Sequence, residues 1–337
     1  MAGVLVVGPS WVGDMVMAQA LCRLVAGQGD SVDLLAPAWS LPLVRRMPEV
    51  RSGIELPAGH GELALARRYR LGRSLRGRYA RAIVLPRSFK AALVPFHARI
   101  PMRTGYRGEM RYGLINDMRD LDESRLVQTA QRFVALGLPA DAPQPPAVPE
   151  PHLAVDTQNQ TRLSRALGLD PGRRIVALLP GAEYGPAKCW PLEHFGELAQ
   201  RLAAAGCEIW VLGSHRDRLA GERIAGFALD RTRNLCGQTR LEDAVDLLAL
   251  ARVAVSNDSG LMHVAAAVGI HVVALYGSST PAYTPPLTAR RSVKYLGIEC
   301  SPCFERVCPL GHFRCMRGIG AEEVFADVSA ALDSQVA

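Results

Sequence analysis

The stretch VLVVGPSWVGDMVMAQAL, residues 4–21, runs four consecutive apolar residues into a glycine and a proline, then resumes with apolar side chains at helical spacing. A short apolar run bounded by turn residues reads as a buried strand, and the spacing after it reads as a helix. The chain therefore opens strand, tight turn, helix, with Gly13 and Asp14 at the hand-over. The same rhythm recurs at VDLLAP and RAIVLP, each followed by a helical stretch. Such alternation predicts an α/β fold, a parallel sheet wrapped by helices.

Residues 139–151, PADAPQPPAVPEP, interrupt the pattern with prolines that sustain neither a helix nor a central strand, and read as a linker. Beyond it the rhythm restarts with RIVALLP (174–180), a helix near PLEHFGELAQRLAAAG, the strand CEIWVLG (207–213) and a helix over LEDAVDLLALA. Strand VAVS (253–256), a helix beginning near Leu261 and strand HVVALYG (271–277) follow. At 337 residues the chain exceeds what one core usually serves. Two Rossmann-like, doubly wound halves are expected: residues 1–150, including the linker, and residues 151–320. The last helical stretch, within 321–337, is expected to pack back across the hinge. Open α/β sheets bind ligands at the carboxyl ends of their strands, so the site is expected in a cleft lined by strand-end loops from both halves.

Composition bounds the class. The chain is 49% apolar and 21% charged, with a mean hydropathy of +0.08, a profile that fits neither a disordered nor a membrane-spanning protein. The opening MAGVLVVGPS has no basic leader and enters a strand at once, which predicts a cytoplasmic protein. Net charge is +7, with arginine concentrated in RRYRLGRSLRGRYAR (67–81) and around RTGYRGEMRYG (103–113). The charge reads either as a solvated face or as a surface meeting an anionic partner. No helix-turn-helix, zinc-finger or RNA-binding strand signature accompanies it, so no nucleic-acid partner is expected.

The second half carries three strand-end loops of one kind. GAEYGPAKCWP (181–191) contains Gly181, Glu183 and Lys188, an ammonium placed where a phosphate can sit. GSHRD (213–217) puts the small residues Gly213 and Ser214 where a nucleotide can approach the backbone. SNDSGLMHVAAAVG (256–269) sets Asp258, Ser259 and Gly260 at a helix N-terminus, where unpaired amides and the helix dipole favour an anion. Taken singly, Lys188 is an exposed turn residue, Asp258 an N-cap and His263 a packed core histidine. Together the loops point to a nucleoside diphosphate. Neither G-x-G-x-x-G after the first strand nor G-x-x-x-x-G-K-[ST] occurs, which argues against dinucleotide redox chemistry and P-loop hydrolysis.

Four of the eight cysteines fall in CSPCFERVCPLGHFRCM: Cys300, Cys303, Cys308 and Cys315. The C-x2-C start has metal-ligand spacing, and a reducing compartment argues against structural disulfides. A structural zinc or iron site is expected, against the alternative of reduced thiols in a loop under the last helix.

At this point the chain resembles the lipopolysaccharide heptosyltransferases of glycosyltransferase family 9. The resemblance is carried by GPSWVGDMVM (8–17), APAW (36–39), RMPEV (46–50), LPRSFKAALVPF (85–96) and RTGYRGEMRYGLIND (103–117). PGAEYGPAKCWP (180–191), NDSGLMHVAAA (257–267) and ALYGSSTP with the nearby TPPL continue it in family order over nearly the whole chain. It implies the GT-B architecture and an inverting transfer of L-glycero-D-manno-heptose from ADP-heptose to the first heptose of a heptosyl-Kdo-lipid A acceptor. ADP-heptose is then a donor substrate, and no catalytic cofactor is implied. Asp14 becomes the general base that takes the acceptor hydroxyl proton, with Gly13 beside it, and Lys188 neutralises charge on the departing ADP. Gly181, Glu183, Gly213, Ser214, Asp258, Ser259, Gly260 and His263 would line the donor, and Lys90 and Arg107 would meet acidic groups of the acceptor. A lipid-linked acceptor and a basic chain together imply a peripheral contact with the inner membrane. Oligomeric state and which heptose is extended stay open. So do a UDP-sugar enzyme of the same architecture and a non-catalytic nucleotide-binding module.

Overall fold

The computed structural model describes residues 3–59 and 61–334. Two compact units emerge, Met1–His152 and Leu153–Ala337, dividing just past the proline-rich segment. The first unit runs β1 (Gly3–Val7), α1 (Val12–Gly27), β2 (Ser31–Pro37), α2 (Leu41–Val44), β3 (Val50–Leu56) and α3 (Leu65–Ser74). It continues with β4 (Arg81–Val84), α4 (Leu93–His97), β5 (Met102–Tyr106), β6 (Asp117–Arg119) and α5 (Thr129–Ala135). Its six strands pair in the order β3-β2-β1-β4-β5-β6, all parallel; Val4 lies opposite Val32 on one side and Arg81 on the other. The central strands are buried on both faces, which is why they read as unbroken apolar runs. Helix α1 is buried from Met15 to Cys22, so its apolar residues extend around the helix and are not confined to a stripe. Leu5, Val7, Leu35, Ala82 and Val84, on one side of this sheet, pack with Leu75, Tyr79, Val94 of α4 and Ala98 just past it.

The second unit repeats the design: α6 (Thr157–Leu167), β7 (Ile175–Leu179), α7 (Leu192–Ala204), β8 (Glu208–Val211), α8 (Arg218–Ala225) and β9 (Thr232–Asn234). Then come α9 (Leu241–Leu248), β10 (Val253–Asn257), α10 (Gly260–Ala267), β11 (His271–Tyr276), β12 (Arg291–Tyr295), α11 (Arg314–Arg317) and α12 (Ala321–Asp333). The sheet order is β12-β11-β10-β7-β8-β9, the same doubly wound arrangement. Helix α6 starts on Asp156, whose carboxylate accepts from the amides of Gln158 and Asn159, and stops at Gly168, whose φ of +63° needs no Cβ relief. The core centres on Trp190, fully buried edge-on against Phe195 at 4.8 Å and donating its indole N–H to the Ile319 carbonyl at 2.9 Å. Helix α12 packs on α7 and on strands β10 and β11. No described helix is long and apolar enough to cross a membrane.

The structure lends no support to the expected metal site at the cysteine cluster. Among the described residues no group of three or more His, Cys, Asp or Glu side chains gathers in an arrangement that could hold a metal ion. Cys315 is drawn into the core on α11, its sulfur 3.1 Å from where a Cβ on Gly277 would sit. Cys300, Cys303 and Cys308 stay half-buried in the irregular segment between β12 and α11. Backbone N–H groups, that of Phe313 first and then those of Leu310, His312 and Gly311, draw the Cys308 thiol down, while burial and the three neighbouring thiols push Cys315 up. All four are free thiols.

Candidate active site

In each sheet the strand order reverses direction at one point, between β1 and β4 in the first unit and between β7 and β10 in the second. The loops leaving the two strands at such a point diverge to opposite faces and leave a crevice at the strand ends. In the second unit those loops carry Lys188 and Asp258. The Lys188 Nζ stands 2.5 Å from Asp258 Oδ2, with both side chains largely buried. Ser279 donates its hydroxyl to the same carboxylate oxygen at 2.6 Å, and Thr284 donates to Oδ1 at 3.3 Å. Tyr276 fixes that second donor by giving its phenolic O–H to the Thr284 carbonyl at 2.7 Å. Asp258 is therefore a hub for donors from two loops, the one after β7 and the one between β11 and β12.

An ammonium carries three N–H donors, and Asp258 takes one of them. Lys188 also lies 5.1 Å from the centroid of the Tyr184 ring, so its position is set from two sides. The loop that bears it is pinned by Asn257, whose Oδ1 accepts from the Trp190 amide at 3.0 Å and whose Nδ2 donates to the Pro180 carbonyl at 2.7 Å. Both ends of the 180–190 loop are thereby tied to the end of β10. At Gly185, φ is +155°, and an added Cβ would come within 2.4 Å of the Arg306 carbonyl. Asn257, Ser279 and Thr284 are missing from the candidate residues read off the sequence, although all three lie in or beside the quoted motifs; their role depends on partners as far as 77 residues away.

Ser259 caps α10 with its backbone, and Gly260 opens the helix beside Asp258. The first-turn amides of a helix have no intrahelical acceptor, so this end of α10 offers donors next to the Lys188–Asp258 pair. Asp258 is thus held by side chains from other loops, and Ser259 occupies the cap position. His263 lies one turn along α10 and is 4% exposed. Burial pushes its imidazole down to about 4; Asp258 works against the shift and the Lys188 ammonium adds to it. The ring is neutral at working pH.

A pH dependence of stability follows. Unfolding returns His263 to its ordinary pKa of 6.5, so between pH 6.5 and about 4 the unfolded chain binds a proton that the folded chain refuses. The stability associated with neutral His263 is complete above pH 6.5 and falls as pH drops, by roughly 3 kcal/mol at pH 4. Urea unfolding of wild type and His263→Gln at pH 7 and pH 4 measures it. A shallower acid loss in the variant is expected, and parallel losses would contradict the assignment.

The other predicted donor residues are placed differently. Gly181 and Gly213 converge on Asp217: an added Cβ at either would lie 2.8 Å from that side chain. Ser214 gives both its amide and its hydroxyl to the Asp217 carboxylate at 2.7 Å. This loop is shaped around a carboxylate, and Asp217 is its organising residue, absent from the sequence reading. Glu183 is exposed and pairs with Arg216 at 2.5 Å, joining the loop after β7 to the loop after β8.

In the first unit the loop after β1 brings Trp11, Gly13 and Asp14 to the carboxyl edge of the sheet. Asp14 is the third residue of α1 and is half-buried, with Trp11 in the N-cap position. Across the reversal point, the segments after β4 and β5 carry Lys90 and Arg107. Arg107 pairs with Asp120 at 2.7 Å and lines an open cavity of about 350 Å³ with Arg87, Glu109, Tyr112 and Glu123. Lys90 is half-buried, its carbonyl accepting from Arg68 at 3.2 Å. Arg111, fully buried, holds the two segments together: its guanidinium donates to the carbonyls of Pro86, at 2.6 Å, and Tyr106. Burial pulls Arg111 down to about 10, which leaves it charged at neutral pH. It is a further residue that the sequence reading passed over.

Residues 68–314 match the model of glycosyltransferase family 9 (heptosyltransferase). The chain belongs to that family. It is 47% identical over 304 residues to lipopolysaccharide heptosyltransferase 2 of Salmonella typhimurium, covering 86% of this chain and 87% of that one. It is 43% identical over 303 residues to lipooligosaccharide heptosyltransferase 2 of Haemophilus influenzae, covering 86% and 87%. The solved structure of E. coli ADP-heptose lipopolysaccharide heptosyltransferase II superposes with a TM-score of 0.87 at 40% identity, covering 99% of this chain and 100% of that chain. The family 9 chain has the GT-B fold of a glycosyltransferase.

Proposed function

We propose that this family 9 glycosyltransferase moves a heptose from ADP-heptose to the first heptose of the lipopolysaccharide inner core, with inversion at the anomeric carbon. The observation that carries the reading is the 47% identity, over 304 residues, to a protein named for the second heptose transfer. The second unit supplies the chemistry a nucleoside diphosphate needs: an oriented ammonium beside the amides of a helix N-terminus, in the crevice between β7 and β10. Lys188 stabilises the diphosphate as negative charge develops on it, a contribution that grows where water is excluded. Asp258 holds the ammonium and meets ribose or backbone groups, since a carboxylate disfavours close phosphate oxygens.

In the transfer, the acceptor hydroxyl oxygen forms its bond to the anomeric carbon as the bond from that carbon to the diphosphate oxygen breaks. Asp14 takes the hydroxyl proton, and ADP leaves with the bonding pair. Arg107 and Lys90 meet acidic groups of a heptosyl-Kdo-lipid A acceptor. The protein acts in the cytoplasm, in peripheral contact with the inner membrane where that acceptor resides.

Donor choice tests the reading. Titration calorimetry is expected to show saturable binding of ADP-heptose and ADP, with a UDP-sugar at least tenfold weaker. Equal affinity for a UDP-sugar would reassign the donor.

A further inference from the structure

Charge is segregated along this chain to a degree that the net value of +7 conceals. Residues 63–108 carry twelve arginines and lysines and not one aspartate or glutamate, while the remainder of the chain has an excess of acid. Much of that segment folds into one surface of the first unit, made by α3 and α4. The two helices meet at Gly72, where an added Cβ would lie 2.6 Å from the Cβ of His97. Tyr69 stands edge-on to His97 at 5.0 Å, and the Arg76 guanidinium donates to the His97 carbonyl at 3.2 Å. Arg68 and Gly72 of α3 and Leu75 just past it are buried, which leaves Arg67, Arg70 and Arg73 facing water, joined by Arg76, Arg78 and Arg99.

Apolar side chains are exposed among these cations. Leu63, Leu65, Tyr69, Phe96 and Met102 are each between 40% and 54% accessible. The mount is rigid where it matters: buried Arg68 donates to the carbonyls of Leu63 at 2.8 Å and Lys90 at 3.2 Å, fixing the start of α3 to the segment before α4. Arginines set among exposed leucines and against exposed aromatic rings, Arg73 5.8 Å from the Tyr69 centroid and Arg103 5.8 Å from that of Phe96, match the interface of an anionic lipid bilayer, where guanidinium groups meet headgroups and the apolar tips enter the acyl boundary. A polyanion such as nucleic acid would use the charge and leave the leucines unsatisfied.

We infer that the α3–α4 face docks this protein on an anionic membrane surface, with Leu63 and Leu65 inserted. The inference rests on the proposed function for the reason to dock, a lipid-borne acceptor, and it adds the surface. Helix α3 begins at the carboxyl edge of the sheet, the edge that presents Asp14 and Arg107. A glycolipid anchored in the bilayer thereby extends its sugars toward the acceptor residues.

The test is sedimentation of the full chain with vesicles of phosphatidylcholine, with and without phosphatidylglycerol. Wild type is expected to bind the anionic vesicles only. The triple variant Arg70→Glu/Arg73→Glu/Arg99→Glu is expected to lose roughly a hundredfold in partitioning, and Leu63→Ser/Leu65→Ser about tenfold. Arg165→Glu/Arg231→Glu/Arg233→Glu, the same charge change on exposed arginines of the second unit, should bind as wild type. Equal loss in both triple variants, or binding to neutral vesicles, would overturn the docking surface. Retention of a polynucleotide, without vesicle binding, would also overturn it. Transfer to a deacylated, water-soluble acceptor should be unchanged in the α3–α4 variants. If wild type transfers to neither acceptor form, the proposed function fails, while the vesicle result still decides the surface.

Discussion

Asp14→Asn is expected to lower the rate of heptose transfer by about 10²- to 10⁴-fold while leaving the affinity for ADP-heptose unchanged. The amide keeps the shape and much of the hydrogen bonding of the carboxylate, so α1 is retained, but it cannot accept a proton. Asp14 belongs to the first unit, whereas the Lys188–Asp258 pair belongs to the second, so a loss confined to turnover separates proton transfer from donor binding. The pair of measurements is the turnover number and the calorimetric donor affinity. A variant that transfers within a few-fold of wild type would reduce Asp14 to a helix-end residue, favourable to the dipole and nothing more.

Lys188→Ala is expected to produce two losses that can be told apart. Turnover falls by about 10²- to 10³-fold because the diphosphate loses its ammonium partner at the moment charge develops. Folding stability also falls, by roughly 2 kcal/mol, because the carboxylate of Asp258 remains in a largely buried site with only hydroxyl donors. Adding Asp258→Asn removes the stranded charge. The double variant should therefore regain stability and stay slow. Urea unfolding and steady-state kinetics on the single and double variants read the two effects. Recovery of turnover together with stability would mean that Lys188 serves the fold and not the leaving group.

How far the sequence spoke for this structure depends on what each residue must do. The central strands announced themselves because both faces are covered, so β1, β7, β10 and β11 are written as apolar runs with no polar side to confuse them. The edge strands did not. β6 and β9 are three residues long, and β12, RSVKY, is mostly polar, so none rises above loop by composition. At the site, Lys188 and Asp258 were visible as residue types at strand ends, but their contact spans 70 positions and appears only once β7 and β10 lie side by side. Asn257 and Arg111 were hidden for the same reason: each earns its place by reaching carbonyls of distant loops. At the Gly213-Ser214 turn the small residues were visible, but the Asp217 carboxylate around which they fit was not. The cysteine spacing resembled a ligand set, but it did not tell that Cys315 enters the core while the other three stay half-buried.

The most direct measurement is release of ADP from ADP-heptose by the purified protein, compared across acceptors: Kdo-lipid A bearing one heptose, the same acceptor without heptose, and none. Release that rises at least a hundredfold above background with the heptose-bearing acceptor alone is the expected result. Release of the same size with the acceptor lacking heptose would assign a different position in the core, and no acceptor-dependent release from ADP-heptose would contradict the transfer itself.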